Sequence, residues 1–209
     1  MLPEFDLLRP QTLPEALALL AEHAPDVMPL AGGTNVIVEL RDGHPCPRLL
    51  MDVSKLRELR GIRRSDGGVV SNGVVSNGVV SNGVVSNVVI GGGTTIAELM
   101  HHPLIAEHGL PLSQAAAKLG NPLVRNRATV AGNLVNASPA ADTAPPLIAL
   151  GAEVELTSQA GTRRVPLDEF MVGVNKTLIR PGELVTAIRW PVPPARSAAG
   201  FYKIGLRKA

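Results

Sequence analysis

Two glycine turns in this sequence have the residue types that bind anions through backbone amides. Gly-Gly-Thr occurs at residues 32–34 in PLAGGTNVIVEL and again at residues 92–94 in VVIGGGTTIAEL, each time between a strand-like and a helix-like run. Glycine lets a backbone approach a ligand closely, and successive amide hydrogens can form a nest for an anion. The following helix N-terminus adds its positive end, and the threonine adds a hydroxyl donor. Together these features suit a diphosphate.

Each turn also has a simpler interpretation, a tight strand-to-helix connection capped by its threonine. The residues alone leave both interpretations open. The chain has no G-x-x-x-x-G-K, which excludes a P-loop, and neither turn has the G-x-G-x-x-G of Rossmann folds. A nucleotide bound at these turns would therefore use a different fold.

A third segment, RNRATVAGNLVNASPAADTAPP, is rich in small residues that can pack closely against an extended ligand. Gly132 and Asn133 are predicted to follow a short Thr-Val strand. The Asn133 carboxamide can donate and accept hydrogen bonds, and Asp142 can accept from ribose hydroxyls or an adenine amino group. The alternative is a surface loop rich in proline and alanine, with Asp142 as a turn residue.

The composition limits the classes of partner. The 209 residues suffice for one large domain or two small ones, and 20 basic against 18 acidic residues give a net charge of +2. This balance argues neither for nor against nucleic acid, but an aromatic content of 2% leaves few rings to stack on single-stranded bases. We therefore expect no nucleic-acid partner.

The single cysteine, Cys46, can form no internal disulfide and cannot hold an iron–sulfur cluster alone. It indicates a reducing compartment, so we expect a cytoplasmic protein. Charged residues interrupt the first ten positions, unlike a signal peptide, and no run reaches the about 18 apolar residues of a membrane span. The spacing of the histidines matches no metal site, so none is expected.

The first fifty residues predict the element order β-α-β-α-β. Strands are predicted in FDLLRP, DVMPLAGG and PRLLMDVS, with helices in the segments between them. Thr12 caps the first helix, with Pro14 in its first turn and Glu15 completing a capping box, and Gly43 ends the second helix. Alternating strands and helices imply crossover connections, and hence a partly parallel sheet covered by helices.

Strands and helices also alternate in the rest of the chain. Strands are predicted in VVIGGG, AEVELTS and ELVTAIRWPVP, and helices in TTIAELM, LPLSQAAAKLG and the apolar run before AEVELTS. RRVPLDEFMVG is predicted as a turn and a short helix, and GFYKIGLRKA as the start of one more strand. Because the chain stops inside that last segment, we expect a further domain to be missing or to lie on another polypeptide.

A pentad repeat, VVSNG, separates these two parts. Five is an odd number, so along a strand each copy turns its valines to the opposite face, and Val, Asn and Gly are poor helix formers. Asn-Gly favours two-residue hairpins, so the repeat predicts a protruding ribbon or a disordered loop. We interpret residues 71–89 as an insertion expanded in tandem; the alternative is an arm for docking a partner.

Four segments, in this order, resemble the FAD-binding subunit of molybdenum hydroxylases, the medium chain of the carbon monoxide dehydrogenase and xanthine dehydrogenase family. They are PLAGGTNVIVELRDG, IGGGTTIAEL, RNRATVAGNLVNASPAADTAPPLIALGAEVEL and KTLIRPGELVTAIRWP. The resemblance implies an α+β fold of the vanillyl-alcohol-oxidase (PCMH) type, with FAD between two α/β subdomains. It implies subdomains at 1–57 and 58–194, the second carrying the repeat insertion, and the start of a truncated C-terminal domain at 195–209.

The same resemblance implies a set of residues that bind FAD without a covalent link. The first glycine turn would cradle the diphosphate, the third segment would contact the flavin nucleotide, Ile179 would lie near the adenine, and Lys203 near the isoalloxazine. The full candidate set is Leu30, Ala31, Gly32, Gly33, Thr34, Asn35, Val36, Gly92, Thr94, Thr129, Gly132, Asn133, Ser138, Asp142, Ile179 and Lys203.

The implied role is electron transfer, with no catalytic side chain acting as acid or base. A molybdopterin-binding large subunit would oxidise the substrate, and a small subunit with [2Fe–2S] clusters would pass electrons to FAD and on to NAD⁺, a quinone or another acceptor. A dimer of such heterotrimers is expected. Two alternatives stay open: a self-sufficient FAD-dependent reductase with Glu98 or Ser113 as proton donor, and a flavin-free scaffold that binds the molybdenum subunit.

Overall fold

The N-terminal part of the molecule is built on a parallel sheet. The computed structural model describes residues 2–45, 47–65 and 86–204. Strands β1 (Asp6–Leu8), β2 (Val27–Leu30) and β3 (Leu49–Asp52) alternate with helices α1 (Leu13–His23) and α2 (Val36–Arg41). The strands are parallel in the order β1-β3-β2, which confirms the predicted crossover arrangement.

Helix α1 begins where the sequence predicts, because Thr12 satisfies one of its free amides. The Thr12 hydroxyl accepts from the Glu15 N–H at 3.3 Å, but the Glu15 carboxylate accepts from the Gln11 N–H at 2.7 Å rather than from the cap residue. The predicted capping box is therefore only half formed. Leu17 and Leu20 are buried and join α1 to the smaller hydrophobic core, which includes residues of β2 and β3.

The larger part is built on an antiparallel sheet. Its strands are β4 (Ile62–Ser65), β5 (Asn87–Gly91), β6 (Glu153–Ser158), β7 (Gly161–Pro166), β8 (Met171–Gly173), β9 (Lys176–Thr177) and β10 (Leu184–Pro191). Strands β8 and β9 form a separate hairpin, and the other five form one sheet in the order β4-β5-β10-β6-β7. The last strand of the described chain therefore lies at the centre of the sheet.

Short helices pack with this sheet. They are α3 (Ile96–His101), α4 (Pro103–His108), α5 (Leu110–Lys118), α6 (Pro122–Arg125), α7 (Val130–Asn136), α8 (Ala144–Ala149) and α9 (Leu167–Phe170). Buried side chains from all of these helices except α6 share one core with β5, β6 and β10, and the core includes the fully buried Trp190 and Phe170. The Trp190 indole N–H donates to His108 O at 3.0 Å, which satisfies it inside this core. No helix in the described ranges is long and apolar enough to cross a membrane.

Three local predictions were wrong, because contacts elsewhere in the molecule override the local signals. Thr129 does not begin a strand; its side chain caps helix α7. Residues 163–166 form part of strand β7 rather than a turn, because they pair with β6. Residues 200–204 form no strand, and instead the Phe201 N–H donates to the Gln114 side chain at 2.8 Å.

The pentad repeat is described only at its end. Residues 66–85 lie outside the described residues, and with them most of the predicted insertion and its predicted ribbon or loop. Residues 87–89 belong to β5, where Val88 is fully buried and pairs with Arg64 on one side and Trp190 on the other. Residues 87–89, which the prediction assigns to the insertion, therefore pair within the sheet, and the extent of the insertion stays a prediction.

Candidate functional site

The first glycine turn, residues 31–35, connects β2 to α2 and has free amide groups. None of its N–H groups donates to another group in the described chain. Gly33 has a φ of +69°, a left-handed conformation that glycine adopts readily and that occurs in anion-binding nests. Asn35 precedes α2 without a side-chain cap bond. The turn therefore offers several unpaired donors at the carboxyl end of a parallel strand.

A close contact fixes this turn against the third segment. Arg127 Nε donates to Gly32 O at 3.1 Å, across 95 positions of the chain. A Cβ at Gly32 would lie 1.9 Å from Arg127 O, so only glycine fits here. The structure thus brings two predicted regions together, and Gly32 is required for the approach of one backbone to another.

The second glycine turn, residues 91–94, has the same Gly-Gly-Thr sequence as the first but no free backbone N–H group. The N–H groups of residues 91–94 all donate to backbone carbonyls, at 2.7–2.9 Å. The Thr94 hydroxyl donates to Gly61 O at 3.2 Å, and Thr94 is 1% exposed. A Cβ at Gly92 would lie 2.3 Å from Val185 O. This turn packs against protein, so the nest predicted at Gly92 and Thr94 has no donors left for an anion.

The buried turn instead supports the third segment. The Ile96 N–H donates to Ala128 O at 2.9 Å, and the Val130 N–H donates to Thr94 O at 3.1 Å, so the two segments lie side by side. The same Ala128 directly follows the residue that contacts Gly32. The second turn therefore helps to hold residues 127–133 beside the first turn.

Helix α7 positions the polar groups of the third segment. The Thr129 hydroxyl accepts from the Gly132 N–H at 3.1 Å, so Thr129 shapes the start of the helix. Asn133 Oδ1 accepts from the hydroxyl of the fully buried Thr143 at 2.6 Å. This bond orients the carboxamide, and its Nδ2 donors have no acceptor within the described residues. Asn133 is therefore a free donor, whereas Thr129 is occupied by its own helix.

Asp142 and Lys203, two separately predicted candidates, form an ion pair. Lys203 Nζ lies 2.7 Å from the Asp142 carboxylate, and the Asp142 side chain is 12% exposed. Nearby, Ser138 Oγ accepts from the Ala140 N–H at 3.2 Å in the connection between α7 and α8. The pair ties the last described residues to the third segment.

Ile179 lies in a loop that hydrogen bonds from Arg163 hold in place. Its half-buried side chain packs against the larger core. The Arg163 guanidinium donates to Leu178 O at 2.8 Å and to both carboxylate oxygens of Glu183, at 2.6 and 2.8 Å. These bonds from Arg163 hold the pKa of Glu183 below its ordinary value. Within the described ranges, no hydrogen bond joins this loop to the glycine turns.

An apolar hollow of about 330 Å³ adjoins the third segment. Its lining includes Ser138, Pro139, Ile148, Met171 and Val174. A larger hollow of about 700 Å³ lies at residues 2–6 and Arg48 and contains no candidate residue. We relate the smaller hollow to the site, because it shares Ser138 with the candidate set.

Sequence reasoning missed two residues that shape the site. Arg127 lies in the RNRATV segment but contacts a glycine 95 positions away, and Thr143 orients Asn133 from the next helix connection. No local pattern marks the Arg127 contact, because nothing near Arg127 in the chain specifies its acceptor.

Known proteins resemble this chain over nearly its full length. The sequence profile of a family described as FAD binding domain in molybdopterin dehydrogenase matches residues 3–87 and 78–193. The chain is 32% identical to the nicotinate dehydrogenase FAD-subunit of Eubacterium barkeri, over 99% of this chain and 64% of that protein. It is also 32% identical to the carbon monoxide dehydrogenase medium chain of Afipia carboxidovorans, over 98% of this chain and 65% of that protein.

A solved structure shares the fold. Quinoline 2-oxidoreductase from Pseudomonas putida 86 matches with a TM-score of 0.80 and 27% identity, over 92% of this chain and 61% of that one. This likeness confirms the predicted α+β fold. The chain spans slightly less than two thirds of the length of these relatives.

Proposed function

Since the chain belongs to the family of FAD binding domains in molybdopterin dehydrogenases, we propose that it binds FAD and serves as the electron-transfer subunit of a molybdenum hydroxylase. The observation that carries this proposal is the first glycine turn. Its N–H groups are free, and Arg127 holds it beside the third segment. Free amides in a glycine turn are suited to a diphosphate.

The described residues fit the polar parts of FAD. The amides of residues 31–35 are donors for the diphosphate, and Asn133 Nδ2 is a further donor. The Asp142 carboxylate has lone pairs beyond its bond to Lys203 and can accept from a sugar hydroxyl. A bound flavin supplies the redox chemistry, and this chain supplies binding, orientation and electrostatics. No side chain is needed as acid or base.

The proposed partners are those that the resemblance to molybdenum hydroxylases implies, and the cysteine content of this chain agrees with them. A [2Fe–2S] cluster normally needs four cysteine ligands, and the sequence has one cysteine. Following that resemblance, we assign the clusters to a small subunit and molybdopterin to a large subunit, in a cytoplasmic dimer of heterotrimers. The names FAD-subunit and medium chain of the relatives support such a division. The final acceptor would be NAD⁺, a quinone or another oxidant.

A self-sufficient reductase with Glu98 or Ser113 as proton donor is disfavoured by the bonds of both residues. The Glu98 carboxylate accepts from the Thr95 N–H at 2.6 Å and from the Thr95 hydroxyl at 2.8 Å, which completes the capping box of α3. The Ser113 hydroxyl donates to Met100 O at 3.1 Å. Both side chains therefore have structural roles.

Flavin uptake tests the proposal. The purified chain, titrated with FAD, should bind one FAD per chain, show the visible absorption of a bound flavin and release it in acid. A chain that stays colourless after the titration would refute the proposal and favour the flavin-free scaffold. Oxidation of NADH by a small substrate without any partner subunit would instead favour the self-sufficient reductase.

A further inference from the structure

We propose that Arg127 is a positioning residue for the diphosphate: its guanidinium fixes the Gly32–Gly33 peptide and so presents the free amides of the first glycine turn. This inference rests on the proposed function, because it assumes that the turn receives the diphosphate of FAD. It concerns a residue that the candidate set does not contain.

The hydrogen bond to Gly32 O determines which way the next amide points. Arg127 Nε donates to that carbonyl at 3.1 Å. In a planar trans peptide the C=O and the N–H point in opposite directions. Holding Gly32 O toward Arg127 therefore directs the Gly33 N–H to the opposite side of the peptide, where no group of the described chain accepts it.

A glycine turn needs such a restraint more than other turns do. Adjacent glycines have the greatest backbone freedom, and Gly33 is left-handed with a φ of +69°. An unrestrained turn would lose that freedom on binding, which weakens affinity, whereas a turn fixed beforehand has less to lose. Arg127 restrains the turn in two ways. Its guanidinium holds Gly32 O, and its own carbonyl oxygen occupies the space that a Gly32 side chain would need.

The backbone of Arg127 and Ala128 is itself fixed by hydrogen bonds. The Arg127 N–H and the Ala128 N–H both donate to Val124 O, at 3.0 and 2.7 Å, and Ala128 O accepts from the Ile96 N–H at 2.9 Å. Arg127 therefore projects from a stretch of backbone that is hydrogen-bonded to α6 and to the start of α3. Its guanidinium makes no ion pair with a carboxylate of the described residues, so its charge also favours an anion nearby.

The chain offers a matched control two positions away. Arg125 Nη1 donates to Leu119 O and Gly120 O, both at 3.0 Å. It has the same side chain, it is the last residue of α6, and it also binds backbone carbonyls, but neither carbonyl belongs to the first glycine turn. Replacing Arg125 removes a comparable structural contact without touching the turn.

The test measures binding of FAD, ADP and riboflavin to the whole chain and to its Arg127→Ala, Arg127→Lys and Arg125→Ala variants. We expect Arg127→Ala to weaken FAD and ADP about tenfold, as loss of a charge-assisted hydrogen bond would, and to leave riboflavin, which has no phosphate, unchanged. Arg127→Lys keeps a charged donor and should restore part of the affinity. Arg125→Ala should change FAD affinity less than about twofold.

Several results would overturn the inference. One is unchanged FAD and ADP affinity in folded Arg127→Ala, and others are an equal loss in Arg125→Ala or an equal loss for riboflavin, which would indicate a general structural effect. If Arg127→Ala does not fold, the lysine variant decides, because a folded lysine variant with full affinity contradicts a specific role for the guanidinium. Wild-type protein that binds ADP but not FAD would refute the proposed function alone, and the ADP measurements would still decide the role of Arg127.

Discussion

The two glycine turns share a sequence pattern and differ in what surrounds them. The N–H groups of residues 31–35 are free, and the turn is held from outside by Arg127. The N–H groups of residues 91–94 are bonded, three of them to carbonyls of the distant residues Leu59, Gly61 and Thr186. The same Gly-Gly-Thr sequence can therefore leave its N–H groups free for a ligand or use them in hydrogen bonds to the rest of the protein. The outcome depends on whether distant residues place carbonyl acceptors beside the turn.

The largest expected effect tests the packing role of the second turn. Gly92→Ala places a Cβ 2.3 Å from Val185 O, a backbone atom of the central strand, so the sheet must shift. We expect the free energy of unfolding to fall by about 3 kcal/mol, as for an overpacked core. Denaturant unfolding followed by Trp190 fluorescence measures this change, since Trp190 is the only tryptophan and is fully buried.

Gly173→Ala is the control for that measurement, because the nearest atom to its Cβ lies at 3.9 Å. Its free energy of unfolding should change by less than about 0.5 kcal/mol. A Gly92→Ala protein of normal stability that has lost FAD would reverse the comparison, and would mean that the second turn binds the cofactor.

Gly33→Val should break the binding role of the first turn. A β-branched residue is strained at a φ of +69°, and its Cβ would lie 3.3 Å from Ile37, so the turn must change its path. We expect FAD affinity to fall at least about a hundredfold, because several amides move together. Titration with FAD at equal protein concentration measures the loss.

Gly43→Val separates backbone strain from binding. Gly43 has a φ of +88° at the other end of the same helix, with nothing within 4 Å of its Cβ. Both variants should lose similar stability, about 1–2 kcal/mol, and only Gly33→Val should lose FAD. Equal FAD affinities for the two variants would remove the first turn from the site.

Thr34 and Thr94, the threonines of the two turns, allow the comparison to be tested with the loss of a single hydroxyl group. The Thr94 hydroxyl donates to Gly61 O, whereas the Thr34 hydroxyl has no partner in the described chain. Thr94→Val should lower the free energy of unfolding by about 1 kcal/mol and leave FAD affinity unchanged. Thr34→Val should lower FAD affinity a few-fold and leave the free energy of unfolding unchanged. A swap of these two outcomes would contradict our assignment of the turns.

The turns also show what the sequence could predict about the site. Residues 31–35 and the third segment were predicted from local composition and from the family resemblance. Whether a turn keeps its amides free could not be predicted, because the acceptors of the second turn lie at residues 59–61 and 186. The Arg127 contact was missed for the same reason, since its acceptor lies 95 positions away.

The fold, like the site, has parts that local sequence signals predict and parts that only long-range contacts determine. The N-terminal strands and helices were predicted because each has its own local signals, such as Thr12 at the start of α1 and Gly43 after α2. Thr129 was misjudged because threonine is common both in strands and at helix caps, and only its bond to the Gly132 N–H decides between them. The position of β10 between β5 and β6 is a long-range pairing that no local pattern specifies.

The smallest expected effect concerns the repeat that precedes the second turn. Deleting residues 71–85 removes three pentads and joins Val70 to Ser86, so every described residue stays. The junction then reads VVSNVV, as residues 84–89 do now, and β5 keeps its buried Val88. We expect FAD affinity to stay within about twofold, and the shorter connection between β4 and β5 to stabilise the protein by about 1 kcal/mol through lower loop-closure entropy.

A second deletion of the same length shows whether the strand or the repeat is what the fold requires. Removing residues 74–88 puts Gly73 at the position of Val88, so a fully buried side chain is lost from β5. That variant should be destabilised by about 3 kcal/mol, as for other large-to-small core changes, although it loses equally many residues. If deletion of residues 71–85 instead lowered FAD affinity in a folded protein, the repeat would belong to the site. If that deletion abolished binding of a partner subunit alone, the repeat would be a docking arm, and its valines would then serve association rather than the sheet.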